Sequence, residues 1–212
     1  EKKAKESVAI TIDGHQGSGK TTLLYQFIND FSKVAGTRSL FATLEQHPQS
    51  YLTQEKIKNY IDDPNSFDMI GDFDNKQEFY NIIEPYDFVF IDSWQKLLEM
   101  IGHINFDQDL RKKFDGKVFI VVFQQTTTGR TKGGAGIVFD GDIIIKLVKE
   151  DQFENNYAYF DKNRYTKIGL HLIKYNIATA STIIESTPKA ENPDPAKNTQ
   201  QPVDDDFEIE II

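Results

Sequence analysis

The sequence predicts an α/β domain: a mainly parallel sheet with helices on both faces, extended by antiparallel strands at its C-terminal end. Three observations predict it. Strand-like and helix-like stretches alternate from Val8 to Gln125, the pattern of a parallel sheet whose crossovers are helices. Three strand-like stretches then follow with no helix between them, and antiparallel pairing joins strands that closely. A glycine-rich turn, Gly14 to Gly19, lies between the first strand and the first helix.

The elements follow in order. VAITID (8–13) is an apolar run ending in a turn. Lys20 to Phe31 places Leu23, Leu24, Phe27, Ile28 and Phe31 at a helical period. SLFATLE (39–45) reads as a strand and 49–62 as a helix. FDMI (67–70) is a short strand, and Lys76 to Ile83 a helix. DFVFID (87–92) is a buried strand, followed by a helix from Trp94 to Ile101. VFIVVFQQ (118–125) is a second buried strand. DIIIKLV (142–148), NYAYFDK (156–162) and GLHLIKY (169–175) form the extension.

Composition narrows the chemistry. The 212 residues carry 24 Lys+Arg against 33 Asp+Glu, a formal charge of −9, so the chain is not a basic nucleic-acid coat. It has no cysteine, which excludes disulfides, thiolate catalysis and cysteine-held zinc or iron–sulfur sites. Its longest apolar run is Val118 to Phe123, far short of the ~20 residues of a membrane helix. A cytoplasmic location with no membrane contact is expected. Two domains of unequal character are expected as well, a core over 1–186 and an acidic tail over 187–212. The tail holds four of the seven prolines, with two Lys against seven Asp/Glu. Such a segment lacks the apolar surface to order itself. Its tip, DDDFEIEII, is a solubilising end, a short binding peptide for a protein partner, or a nucleic-acid mimic that folds back on a basic loop.

The turn carries the strongest signal. Gly14, His15, Gln16, Gly17, Ser18, Gly19, Lys20, Thr21 and Thr22 fit G-x-x-x-x-G-K-[ST] between a strand and a helix. Glycines let successive N–H groups curl around an anion, and the following helix adds its positive end. Lys20 supplies charge for the β- and γ-phosphates, and the Thr21 hydroxyl is a ligand for Mg²⁺. The ligand expected is ATP with Mg²⁺. Asp92 closes the buried strand FVFID at the same sheet edge and is the expected metal carboxylate. Glu45 closes the next strand after the loop and is the expected general base for water.

GHQGSGKTT, ATLEQ, FVFIDSW and VVFQQ, taken in order, resemble the RecA-type ATPase core over roughly residues 5–176. Within that group the motifs are most similar to DnaB-type replicative helicases and the bacterial RadA (Sms) recombination helicase. The resemblance implies a RecA-like P-loop ATPase fold and ATP hydrolysis coupled to work on single-stranded DNA, in replication or recombination. It also implies a homo-oligomer, ring or filament. Gln125 stands where the group places a residue that senses the γ-phosphate, and Gln124 is the neighbouring candidate. TTTGRTKGGAG (126–136) resembles the loop that contacts single-stranded DNA, through Arg130 and Lys132. Lys162-Asn163-Arg164-Tyr165 resembles the K-N-R-F motif of RadA, whose Lys and Arg enter the neighbouring subunit's nucleotide site. Thr166 stands where RadA has Gly. The helical N-terminal domain of the replicative helicases and the zinc finger and protease-like domain of RadA have no counterpart, so a bare motor core is expected. The alternative is a nucleotide-dependent regulatory module that recruits a partner through its tail without unwinding.

Overall fold

A computed structural model of the protein describes residues 7–125, 140–166 and 173–184. The apolar run of 118–123 is sorted by parity. Phe119, Val121 and Phe123 enter one core, while Ile120 and Val122 enter a second on the opposite face. A strand with no polar face needs cover on both sides. This strand, β5 (Val118–Gln124), pairs in parallel with β1 (Val8–Gly14) and β4 (Phe88–Asp92). β4 pairs with β2 (Ser39–Thr43), and β2 with β3 (Phe67–Ile70), all parallel. On the other flank of β1 lies β6 (Ile143–Val148), also parallel. β7 (Tyr157–Asn163), β8 (Ile173–Asn176) and β9 (Ser181–Ile184) then continue the sheet antiparallel. The order is β3-β2-β4-β5-β1-β6-β7-β8-β9 among the described residues. This is the mainly parallel sheet with an antiparallel extension that the sequence predicts.

α1 (Lys20–Phe31) packs on one face, burying Leu23, Leu24 and Ile28 in the core that holds Ile12, Phe41 and Phe90. α3 (Lys76–Ile83) and α4 (Trp94–Ile101) cover the other, with Phe79, Ile83, Trp94 and Leu97 buried among Val89, Ile91 and Val121. Trp94 lies edge-on to Phe106, 5.4 Å between ring centres, and 6.0 Å from Phe123. Offset and edge-on rings of this kind add to simple area burial. Short polar residues start the shorter helices. Ser50 accepts from the Thr53 N–H at 3.2 Å, and Asn75 from the Glu78 N–H at 3.0 Å, satisfying amides the helix leaves open.

Several bounds differ from expectation. α2 runs Tyr51–Tyr60 rather than 49–62, because Ser50 takes the capping position. β2 stops at Thr43, two residues before Glu45. A π-helical turn, Phe106–Arg111, and β9 were not expected. The expected strand 169–175 is described only from residue 173, and the tail from 187 lies outside the described residues. No helix among the described residues is long and apolar enough to cross a membrane.

Candidate nucleotide site

The turn after β1 is shaped by what its glycines exclude. A Cβ at Gly14 would lie 2.9 Å from Ser18 Oγ and 3.0 Å from Leu147 Cβ. Gly17 and Gly19 have φ of +80° and +98°, the left-handed region that glycine enters without steric cost. No side chain caps α1, so its first amides remain available to an anion. Lys20 folds back over the turn, its Nζ donating to the carbonyls of Gly14 and His15 at 2.8 Å each. Among the described residues the buried Ser18 Oγ has no hydrogen-bond partner, which suits a turn built to receive acceptor oxygens.

The parallel register brings the acids to this turn. Gly14 pairs with Gln124 at the end of β5, and Thr43 with Asp92 at the end of β4. Leu44 and Glu45 donate their N–H groups to the Asp92 carbonyl at 2.8 and 3.2 Å, which fixes Glu45 beside it. The Asp92 carboxylate is buried and accepts from the Thr21 hydroxyl at 2.8 Å. Burial, and then the charge of Glu45, push its pKa up to about 6, against the pull of Thr21, Lys20 and Lys56. A buried carboxylate beside a hydroxyl is a hard oxygen pair that fits Mg²⁺. A cleft of about 350 Å³ joins Gln16, Gly17, Gly19, Lys20, Thr21 and Thr22 to Glu45, Lys56, Asp92, Gln124 and Phe153.

The two glutamines point apart, as neighbours on a strand must. Gln124 lines the cleft and donates its side-chain amide to Glu45 Oε1. Gln125 donates to Asp13 Oδ2 at 2.6 Å instead. Arg130 and Lys132 lie outside the described residues.

Lys162 and Arg164 sit at the other edge of the sheet. Asn163 pairs with Ile143, which is level with Ile10, four residues before Gly14 on β1. That offset is about 13 Å at strand rise. Arg164 Nη1 lies 2.9 Å from Asp142 Oδ1, and Lys162 Nζ donates to the Gly141 carbonyl at 2.7 Å. Sequence reasoning passed over Lys56, a lysine on a polar helix, and the buried acceptor Asp142, whose only signal is the second acid of Asp140-Gly141-Asp142 ahead of an apolar run.

A loop of this kind after the central strand, with Asp92 closing β4 and Glu45 two residues beyond β2, sits on a mainly parallel sheet of RecA-like fold. The solved structure of a KaiC-like protein from the hyperthermophilic archaeon Pyrococcus horikoshii OT3 shares that fold. The two superpose with a TM-score of 0.56 over 84% of this chain and 89% of that chain, at 16% sequence identity. No family model matches the sequence, and no curated protein matches it.

Proposed function

We propose that the chain is an ATP-binding and ATP-hydrolysing RecA-like motor core that acts on single-stranded DNA, with each nucleotide site completed by a neighbouring subunit. One observation carries this reading: Lys20, the Thr21–Asp92 pair and the Glu45–Gln124 pair border a single cleft at one sheet edge. The turn's amides hold the phosphate chain, and Lys20 exchanges its carbonyl partners for the β- and γ-phosphates. Thr21 and Asp92 would hold Mg²⁺, which when bound would shield the phosphate charge. Glu45 takes a proton from the water that attacks the γ-phosphorus. The new O–P bond forms as the bond to the ADP oxygen breaks, releasing ADP and phosphate. Gln124 orients Glu45, and its place in the cleft supports assigning the γ-phosphate sensor to it rather than to Gln125.

Lys162 and Arg164 lie too far from their own turn to serve it, which supports a role in trans. An arginine supplied by a second subunit stabilises charge on the transferring phosphoryl group by roughly 10³–10⁵-fold in rate. Arg130 and Lys132 are assigned to the DNA backbone, a contact that salt would weaken and base sequence would not alter. Replication or recombination, with or without unwinding, is the setting this implies.

The test follows the hydrolysis rate per subunit against protein concentration, with and without single-stranded DNA. Wild type should rise with both. Arg164→Ala should lose the concentration dependence and at least about 10³-fold in rate. Identical curves for the two proteins would remove the shared site. A wild-type rate indifferent to DNA would leave a nucleotide-driven module without a nucleic-acid track.

A further inference from the structure

Lys56 belongs to α2, a helix with only one buried residue, Thr53. The fold nevertheless brings its ammonium into the phosphate cleft, on a different element from Lys20. Nζ stands 3.4 Å from Thr22 Oγ1 and 6.0 Å from the centre of the Tyr25 ring. Among the described residues no carboxylate lies within ion-pair distance of it. Asp92 and Glu55 act on it only at longer range, and partial burial outweighs both, holding its pKa below the usual lysine value. A half-buried cation with no counter-ion at contact distance is costly to keep. An anion arriving in the same cleft would offset that cost. Thr22 lies in the first turn of α1, directly after the metal-binding hydroxyl. That places Lys56 beside the inner phosphates rather than the one transferred.

We propose that Lys56 is a second phosphate-binding cation of the nucleotide site, supplied in cis by α2 to the α- and β-phosphates of the bound nucleotide. The inference rests on the nucleotide reading above. Two features separate it from the role of Lys20. It acts on ADP as strongly as on ATP, because the inner phosphates are common to both. It also acts on the phosphates directly, not through Asp92, so it persists without metal.

Calorimetric titration of the full chain with ADP and with ATP, each in Mg²⁺ and in EDTA, tests this. Lys56→Gln should weaken all four affinities by about ten-fold, as expected for one charge-assisted hydrogen bond. Lys56→Arg, which keeps the charge, should stay within about three-fold of wild type. Melting curves of both variants confirm that each is folded. A Lys56→Gln protein that binds like wild type overturns the inference alone. So does a loss seen only in Mg²⁺, because that pattern assigns Lys56 to balancing the Asp92 charge. A wild type that binds neither nucleotide overturns the inference together with the nucleotide reading beneath it.

Discussion

Two buried aspartates stand at opposite edges of the sheet, and their surroundings differ. Asp142 is 2% exposed and Asp92 4%. Asp142 is fully furnished: Oδ2 accepts from the Ala9 N–H at 2.9 Å and from Arg111 Nη2 at 2.8 Å, and Oδ1 from Arg164 Nη1 at 2.9 Å. Among the described residues Asp92 has one hydroxyl at 2.8 Å and a second acid nearby, with Lys20 and Lys56 acting on it through charge. The first carboxylate is satisfied by the protein and holds the strand ends together. The second is left short of positive charge, a state that lowers stability and raises affinity for a cation. Equal burial therefore hides opposite purposes, and the donor set tells them apart.

The sharpest way to probe this contrast is to remove the acid beside Asp92. Glu45→Gln should slow hydrolysis by roughly 10²–10⁴-fold while ATP affinity is kept, measured as ADP release alongside binding. It should also let the Asp92 pKa fall, since a like charge has gone.

Asp142→Asn should cost about 3 kcal/mol in urea unfolding. It leaves Arg111, whose side chain is 17% exposed, without its nearer carboxylate in a place water reaches poorly, with only the longer 3.8 Å pair to Asp107 remaining among the described residues. A loss below ~1 kcal/mol would mean that Asp142 is no keystone.

Asp92→Asn should have the opposite sign. At pH 7 the ligand-free protein should gain about 1–3 kcal/mol, because a buried charge is removed, and should lose the Mg²⁺-dependent part of ATP binding. The pH dependence follows from the raised pKa. Below the unfolded value, 3.8, both states carry the proton and there is no penalty. Between 3.8 and about 6 the native state holds the proton more tightly, so the penalty of ionising Asp92 grows as pH rises, then levels off. The stability gap between Asp92→Asn and wild type should be small at pH 4 and largest above pH 6. A gap that does not change with pH would break the comparison.

The smallest effect is expected at Arg164. Its side chain is 54% exposed, so Arg164→Ala should cost less than about 1 kcal/mol of stability, despite sharing Asp142 with Arg111. A large loss of stability would make it a structural partner instead.

Much of the frame was legible in the sequence because it rests on local rules. VFIVVFQQ is apolar at every position before its end, and a strand buried on both faces needs that. The turn before Lys20 is legible because glycine is required where the backbone curls. Which of Gln124 and Gln125 faces the cleft was not, since a shift of one residue swaps faces and the apolar run offers no polar side to set the register. The π-helical turn was missed because Phe106 and Leu110 give one helical spacing within a polar stretch. β9 was missed because Ser181, Thr182 and Ile183 are all exposed, so no alternation marks them. Lys56 was missed for a different reason. Its environment is made by α1 and β4, which the sequence near Lys56 does not encode.

The phosphate turn also leans on the later half of the sheet, β6 and the antiparallel strands beyond it. Leu147 presses on Gly14, the Asn156 side-chain amide donates to the Gly17 carbonyl at 3.2 Å, and Ile177 Cγ2 would lie 2.8 Å from a Cβ on Gly19. The motif's letters all fall within the first two dozen residues, but the mould that gives them shape is cast from chain more than a hundred positions downstream. A polypeptide ended after Val148 would keep the whole signature and lose the walls behind two of its three glycines.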